Sequence, residues 1–366
     1  MPDRRRAADL PAVPGVLSAD QLRQTVAAIA AEQAPDGALP WFRGGQLDAW
    51  DSVEAAMALD VGGEHDRARA AYEWLARHQR PDGSWAAEYR DGVAVAPAVE
   101  SNHAGYLAVG AWHSWLCTGD AALVDRLWPT VRRALDLVTR MQLTSGAISW
   151  ALRPDGTPDD TALLTGNASL SQALRAGVAL AGLVGEAQPD WEVAAADLGR
   201  ALRERPGAFA DRSRYSMDWY YPVLAGAVTG AAATDRLAAG WDTFVVPGLG
   251  VRCVADRPWV TGAETCELAL ALAAAGRPDD ATEQLAAMQH LRAEDGSYWT
   301  GLVYADDARW PVERTTWTAA AVVLAADAIA GTGPAATLFA DPAALDRPAV
   351  DEPAAPGIHP AVPEPR

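Results

Sequence analysis

The chain has 366 residues, of which 50% are hydrophobic and 7% aromatic, so it can bury a large core in one big domain or two small ones. Its 30 basic residues, all of them Arg, face 48 acidic residues, which gives a formal net charge of −18. A chain this acidic repels nucleic acid and anionic membrane surfaces. We therefore expect neither class of partner.

The number and spacing of the cysteines indicate the cellular compartment of the protein. Cys117, Cys253 and Cys266 are an odd number in a long chain and none has CxxC spacing, which argues against a disulfide framework or a zinc site. The first fifteen residues lack the apolar centre of a signal peptide, and no apolar stretch approaches the length of a membrane span. We predict a cytoplasmic protein that needs no metal or other cofactor. The sequence leaves its oligomeric state open.

Helices are predicted from 3.6-residue periodicity, with ends at Gly, Pro or Asp-Gly. One kind has a charged face, so we expect it on the outside of the fold, where that face contacts water. Its members span about 18–33, 64–79, 122–142, 190–205, 232–244 and 278–291. The other kind is small and apolar nearly all round, so other helices must enclose it. Its members span about 51–61, 101–116, 168–183, 219–229, 263–275 and 314–329.

The two kinds of helix alternate along the chain. The arrangement that satisfies both is an inner ring of six helices wrapped by an outer ring of six, which is an all-α, (α/α)6 toroid. We predict that residues 18–331 form this toroid as a single catalytic domain. Residues 1–17 are predicted to be a flexible N-terminal arm, and the Pro/Ala-rich residues 332–366 a disordered tail.

A short motif sets the period of the chain. It is Gln79-Arg-Pro-Asp-Gly-Ser-Trp85, and looser copies begin at Gln33, Gln142 and Gln289. Each copy closes an outer helix with Gln, breaks it at Gly and places a Trp before the next inner helix, which indicates one repeated structural unit. We expect Gln79 and Trp85 to brace the outer ring rather than to contact a substrate.

The loops that lead into the inner helices gather at one end of such a toroid. Each of them contains aromatic residues, whereas the loops at the other end are short turns without them. The candidate catalytic residues are the carboxylates Asp51, Glu100, Asp218, Glu264 and Glu313. The candidate substrate-binding residues of the same loops are Trp41, Trp50, His103, Asn167, Tyr220, Trp259, Trp299, Arg314 and Trp317.

Two family resemblances accompany these motifs. The QxxxGxW spacing of Gln79, Gly83 and Trp85 resembles the repeats of the terpenoid-cyclase and protein-prenyltransferase superfamily. The run Glu100-Ser-Asn-His-Ala-Gly-Tyr106, with Thr118-Gly-Asp and Trp128-Pro after it, looks like the six-hairpin glycosidases. Together the resemblances cover about residues 18–331, and both imply an α/α toroid.

Neither resemblance carries its catalytic residues onto this chain. The nearest stretch to the DxDD motif of terpenoid cyclases, Asp155-Gly-Thr-Pro-Asp-Asp160, does not fit it. Prenyltransferases hold zinc with Asp, Cys and His, but no His partner follows Cys266 at the required end. What both resemblances imply is a toroid cavity, here bordered by Trp and carboxylates.

That inventory of side chains suits sugar chemistry. Glycoside hydrolysis needs one carboxyl group as general acid and another as base or nucleophile. Aromatic faces stack on a pyranose, while polar side chains bind its hydroxyl groups. We therefore predict a glycoside hydrolase-like enzyme that acts on a small-molecule or oligosaccharide substrate through a carboxylate pair in a Trp-lined cavity. Opposite loops of a six-fold ring pair Glu100 with Glu264 as first choice, Asp51 with Asp218, and Asn167 with Glu313.

Two alternative functions stay open at this stage. A prenyltransferase- or terpenoid cyclase-like enzyme would use the aromatic faces to stabilise a carbocation derived from an isoprenoid. It would need a diphosphate site or a strong acid. Arg43, Arg252, Arg257 and Arg314 are available for the first if they converge, whereas the second lacks its motif. A non-catalytic toroid that binds a glycan or a lipid is the second alternative, favoured if the carboxylates are exposed and unpaired.

Each candidate also has a structural interpretation. Asp51 with Glu54 three residues later matches a helix capping box. Asp218 precedes a helix and favours its positive end. His103 either orients a carboxylate, binds a hydroxyl group or has a structural role, and Cys266 is expected to behave as a small hydrophobic residue.

Overall fold

The computed structural model describes residues 10–346, most of which are helical. In chain order the α-helices are α1 (Ala19–Glu32), α2 (Ala49–Val61), α3 (His65–His78), α4 (Ser101–Gly105), α5 (Leu107–Thr118), α6 (Ala121–Arg140), α7 (Leu164–Val184), α8 (Pro189–Glu204), α9 (Ser216–Leu224), α10 (Gly230–Phe244), α11 (Gly262–Ala274), α12 (Pro278–Ala287), α13 (Thr316–Ala330) and α14 (Thr337–Ala340). Short 3-10 turns lie at Pro206–Ala208, Gln289–Leu291 and Pro342–Asp346.

Six segments form a closed inner ring. Each contacts the next in the order α2, α5, α7, α9, α11 and α13, and α13 contacts α2 again. The helices α1, α3, α6, α8, α10 and α12 pack on the outside of this ring. The predicted (α/α)6 toroid is therefore confirmed.

Burial follows the predicted difference between the two kinds of helix. Every residue of the inner helix α11 from Gly262 to Leu272 is buried, whereas the outer helix α6 buries one face and exposes charged residues such as Arg126 and Arg132. A charged face can remain in water only on the outer ring. Within residues 10–346, no helix is long and apolar enough to cross a membrane.

The loops at one end of the toroid carry all the described strands. These are β1 (Glu88–Arg90), β2 (Val93–Ala96), β3 (Val99–Glu100), β4 (Ala151–Leu152), β5 (Val245–Val246), β6 (Gly250–Arg252), β7 (Trp259–Thr261), β8 (Gly301–Val303) and β9 (Ala308–Arg309). Strands β1 and β2 pair, as do β3 and β4, and β5 to β9 form an antiparallel sheet. The sequence did not predict these strands, because two to four residues are too few to show alternation.

The repeat motif joins each loop to the next outer helix. Gln79 Nε2 donates hydrogen bonds to Gly83 O at 3.0 Å and to Thr130 O of α6 at 2.9 Å. Gly83 has a φ of +99°, and a Cβ there would lie 2.2 Å from the carbonyl oxygen of Arg133. Glycine is thus required both by the backbone conformation and by the close approach. The structure agrees with the predicted bracing role of Gln79.

Two other copies repeat this geometry and the fourth departs from it. Gln33 donates to the α3 carbonyl of Arg67 at 2.9 Å, and Gln142 donates to the α8 carbonyl of Ala194 at 3.0 Å. Gln289 instead donates to Leu285 O within its own helical segment. In this copy Arg292 Nη2 reaches α1 by donating to Gln24 Oε1 at 2.7 Å. The fourth repeat closes the outer ring with a different side chain.

The buried core extends beyond the predicted bounds of the toroid. Val13 and Leu17 are buried in the core, although an arm was predicted for residues 1–17. Leu338 and Phe339 of α14 are also buried, within the predicted tail. Both predicted segments were therefore too long, because their apolar residues cover the toroid. Residues 1–9 and 347–366 lie outside the described residues.

Candidate active site

The first turn of α2 contains two aspartates with different roles. Asp48 is the N-cap: its Oδ1 accepts the backbone N–H of Asp51 at 2.9 Å, and its Oδ2 accepts Trp41 Nε1 at 3.0 Å. The capping box predicted for Asp51 and Glu54 is therefore wrong, because Asp48 already occupies the cap. The side chain of Asp51 is left available for another role.

Glu54 lies one turn further along α2 and is 4% exposed. Its Oε1 accepts hydrogen bonds from Trp50 Nε1 at 2.8 Å and from Tyr106 OH at 3.1 Å. Burial raises the pKa of Glu54 to about 7, although these donors and the indole of Trp317 favour the charged form. Glu54 therefore carries a proton for part of the time at neutral pH.

A second acidic pair occupies the matching turns of α11. Glu264 and Glu267 are one turn apart and both are buried. Glu267 Oε2 accepts a short hydrogen bond from Tyr220 OH, and its Oε1 has no hydrogen-bond partner within the described part of the chain. Burial, followed by the charges of Glu54 and Glu264, raises the pKa of Glu267 well above its usual value. The two helices thus bring their carboxyl groups within electrostatic range of each other.

Asp51 lies at the entrance to this cluster. Desolvation is the largest cause of a pKa well above the usual value for Asp51, followed by the charges of Asp48 and Glu54, and Glu267 adds to it. Asp51 nevertheless retains some exposed surface. The carboxyl group of Asp51 is therefore largely removed from water although the residue is not fully buried. It holds a proton at pH values where an ordinary aspartate has lost it.

His103 lies between Glu100 and the N-cap residue Asp48. His103 Nε2 lies 3.9 Å from Glu100 Oε2 and 4.0 Å from Asp48 Oδ1. The pairing of Glu100 with Ala151 between β3 and β4 fixes the backbone at this point. The close neighbour of Glu100 is therefore His103, and the predicted pairing of Glu100 with Glu264 across the cavity stays a prediction.

Aromatic rings surround the carboxyl cluster. The rings of Trp41 and Trp317 are 6.3 Å apart between centroids, and Trp50 lies 5.3 Å from Tyr106 and 5.6 Å from Tyr221. Sequence reasoning did not include the two tyrosines of this group among the site residues. The sequence did offer one indication of them: each is a tyrosine in an otherwise apolar inner segment, and a buried Tyr hydroxyl group requires a hydrogen-bond partner.

Asp218 belongs to a different neighbourhood. Its Oδ1 accepts hydrogen bonds from Thr165 Oγ1 at 2.6 Å and from Thr165 N at 3.2 Å. Burial raises the pKa of Asp218, while Thr165, Arg212 and Arg236 favour its charged form. The observed partners of Asp218 thus differ from the predicted partner, Asp51, and they tie α9 to the start of α7.

Asn167 has a structural role, contrary to the prediction that it binds substrate. It is 1% exposed, its Oδ1 accepts from Ile148 N at 2.7 Å, and its Nδ2 donates to Ile148 O and Leu163 O, each at 2.9 Å. The side chain therefore holds the loop before α7 and presents no surface to a ligand. For the same reason it does not form the predicted pair with Glu313.

Glu313, Arg314 and Trp299 line a lateral groove of about 670 Å³, together with residues of the outer helix α1. Arg314 Nη1 donates to Asp295 Oδ2 at 2.8 Å, and its guanidinium lies 5.3 Å from the ring centre of Trp299. Partial burial raises the pKa of Glu313. Arg314 and Glu313 thus contact Asp295, Trp299 and Thr300.

Trp259 also has its partners in the loops rather than in the cluster. Its Nε1 donates to Trp310 O at 2.8 Å, and the two rings meet edge to face at 4.8 Å. Trp259 lies on β7 and so supports the five-stranded sheet.

The arginines required by the prenyl alternative do not converge. Arg43 donates to the α1 carbonyl of Ala31, and Arg252 donates to Thr243 O at 2.7 Å. Arg314 binds Asp295 in the lateral groove. Three of the four candidates are thus engaged at different places, and the diphosphate site that they were predicted to form is not built from them.

Solved structures of glycosidases share this toroid. A glycosidase aligns with a TM-score of 0.70 at 15% identity, over 86% of this chain and 96% of its own. The mannosylglycerate hydrolase of Thermus thermophilus aligns with a TM-score of 0.62 at 13% identity, over 82% and 99%. No protein-family model matches the chain. The fold is that of the α/α-toroid glycosidases.

A sequence relative narrows this class. The MMP endo-(1,4)-3-O-methyl-alpha-D-mannosidase of Mycolicibacterium hassiacum is 56% identical over 330 residues, which are 90% of this chain and 92% of the relative. The chain belongs to the family of this mannosidase and is a glycoside hydrolase-like enzyme. The prenyl and non-catalytic alternatives are not favoured.

Proposed function

We propose that the chain hydrolyses internal linkages of an α-mannoside oligosaccharide, and that 1,4-linked 3-O-methyl-α-D-mannosides are its substrates. The support for this substrate class is the 56% identical relative, whose name describes that activity. The support for hydrolysis by carboxyl groups is the cluster on α2 and α11, where partly exposed Asp51 retains a proton beside other buried acids.

Asp51 is assigned as the general acid. It is the member of the cluster that combines a raised pKa with exposed surface, so it can reach a glycosidic oxygen and still hold a proton. Transfer of that proton to the leaving oxygen breaks the bond to the anomeric carbon. Glu54 and Glu267 also have raised pKa values, but they lie one turn further into their helices, where their carboxyl groups accept hydrogen bonds from Trp50 and Tyr106 and from Tyr220.

Glu264 is assigned as the second carboxylate. It occupies the first turn of α11, as Asp51 occupies the first turn of α2; the charge of Glu264 acts on buried Glu267, and the charge of Glu267 acts in turn on Asp51. In one stereochemical course it activates water; in the other it attacks the anomeric carbon itself. The surrounding acidic groups favour the positive charge that develops on the sugar ring in either course.

The remaining residues bind the sugar. The indoles of Trp41, Trp50 and Trp317 offer flat faces for pyranose rings, while Glu100 and His103 are placed to bind hydroxyl groups at the entrance. We also propose a cytoplasmic location, which the three free cysteines of the described chain support.

The test is turnover of defined oligosaccharides by the wild type and by Glu264→Gln. The substrates are 1,4-linked α-manno-oligosaccharides with and without 3-O-methyl groups, with an isomeric gluco-oligosaccharide as control. We expect internal fragments from the methylated substrate, resolved by mass spectrometry, and at least a hundredfold lower kcat/KM for the variant. Cleavage of only the gluco-oligosaccharide, or full activity of Glu264→Gln, contradicts the proposal.

A further inference from the structure

Glu54 is an ionisable group that the catalytic assignment leaves without a task. It is 4% exposed, and its Oε1 accepts hydrogen bonds from Trp50 and Tyr106 one turn further along α2 than Asp51, so its carboxyl group is engaged by the protein rather than by a sugar. A buried carboxyl group costs free energy that an apolar side chain of similar size avoids. Packing and stability therefore do not account for an acid at this position.

The placement of Glu54 relative to Asp51 suggests its task. Residues three positions apart on a helix are neighbours on the same face, with Cβ atoms about 5–6 Å apart. The charge of Glu54 acts directly on Asp51. Two hydrogen bonds fix the Glu54 carboxyl group, so its distance from Asp51 is set by the fold.

We propose that Glu54 is a positioning residue of the reaction, which keeps the carboxyl group of Asp51 protonated by opposing the formation of a second negative charge beside it. This inference rests on the assignment of Asp51 as the acid. Glu54 acts through Asp51 and does not touch the substrate. Glu54 lies in the second turn of α2, and Asp51, the assigned acid, lies in the first turn of the same helix.

Other charged and titratable groups share this space. Asp48 on the same helix and Glu267 on α11 act on Asp51, and Glu264 acts on Glu267. His103 faces Asp48 and Glu100 at the entrance. Tyr106, Tyr220 and Tyr221 complete the wall, and burial keeps each phenol neutral by raising its pKa well above the usual value. Glu54 differs from these neighbours because burial raises its pKa to about 7, so its charge changes in the working range of pH.

The direction of the effect follows. Glu54→Gln keeps the shape and an acceptor for Trp50 but removes the negative charge. Asp51 then loses its proton at a lower pH, by about one pH unit. The activity at high pH, which requires protonated Asp51, declines at a correspondingly lower pH. Tyr106→Phe removes a donor that favours charged Glu54, so it shifts the titration of Asp51 in the same direction by a smaller amount.

The experiment measures Asp51 directly. Protein labelled with carboxyl-¹³C aspartate is titrated by NMR, and Asp51→Asn identifies the signal. Wild type, Glu54→Gln and Tyr106→Phe are compared with Glu283→Gln, which removes one charge from an exposed position on the outer helix α12. We expect the signal of Asp51 to titrate at lower pH in the first two variants and to be unchanged in Glu283→Gln.

The pH profile of kcat/KM on the methylated oligosaccharide is the second readout. An unchanged Asp51 titration in folded Glu54→Gln, or in Tyr106→Phe if Glu54→Gln does not fold, overturns the inference. An equal shift in Glu283→Gln also overturns it, because net charge alone then explains the result. If the Asp51 signal shifts but no mannoside is cleaved, the positioning role stands and the proposed substrate is wrong.

Discussion

Asp48 caps α2 by accepting the backbone N–H of Asp51 at 2.9 Å, and so frees the Asp51 side chain from that role. Asp48 and Asp51, three residues apart at the start of α2, therefore have different roles. One stabilises the helix and binds Trp41, while desolvation and the charges of Asp48 and Glu54 raise the pKa of the other well above its usual value. The difference between them separates a structural carboxyl group from the assigned acid.

Asp51→Asn is expected to lower kcat/KM by about 10²–10⁴-fold, because the amide cannot donate the proton that the leaving oxygen requires. Its free energy of unfolding should not fall, because a desolvated acid is removed. Asp218→Asn serves as the comparison, since the amide oxygen can still accept from Thr165. Steady-state kinetics and urea unfolding check both variants. Equal losses of activity contradict the division of roles.

The stability of the protein should depend on pH through Asp327, which is 3% exposed on α13. Burial raises the pKa of Asp327 from 3.8 to about 6, although the backbone N–H of Gly333 partly offsets this. The folded state therefore binds this proton more tightly, and the free energy of unfolding falls as pH rises from about 4 to about 6. The loss amounts to about 3 kcal/mol.

Asp327→Asn removes this dependence. The free energy of unfolding of the variant, relative to that of the wild type, should rise by about 3 kcal/mol between pH 4 and pH 7. Urea unfolding at each pH measures it. A difference between the two proteins that stays constant over this range would show that Asp327 ionises normally in the folded state.

Gly83→Ala should be strongly destabilising, by about 3 kcal/mol or more, since the new Cβ would lie 2.2 Å from Arg133 O. Gly63→Ala is a matched control: its φ is +79°, but nothing lies within 4 Å of the new Cβ. Gly63→Ala should lower the free energy of unfolding by only about 1–2 kcal/mol, because alanine is strained in the left-handed backbone conformation. Thermal and urea unfolding of both variants measure the cost of the close approach. Equal losses would mean that the turn does not depend on this contact.

Asn167→Ala tests whether that residue supports the loop or binds the sugar. We expect the free energy of unfolding to fall by about 3 kcal/mol, because the buried backbone N–H and C=O groups of Ile148 lose their partner. The KM of the folded variant should stay within about twofold of the wild-type value. A large rise in KM with unchanged stability would restore the binding role.

The architecture followed from local properties of the sequence. The periodicity of each helix depends on its own residues, and the contrast between charged-faced and wholly apolar helices specifies two concentric rings. The repeat around Gln79 placed the loops that carry the site at one end, because each copy ends an outer helix and precedes an inner one. The class of enzyme followed from the acids and aromatic residues of those loops.

The composition of the acidic cluster was decided by the tertiary structure. Opposite loops of an ideal six-fold ring were expected to pair, but Asp51 interacts with Glu267, whose helix is separated from α2 in the ring only by α13. Glu54 and Glu267 lie on apolar inner helices, where the sequence does not reveal which side faces the axis. Their protonation depends on desolvation and on charges contributed by another helix, and both arise only when the ring closes. Sequence therefore indicated which end of the toroid carries the candidate site, and packing determined which carboxyl groups there have raised pKa values.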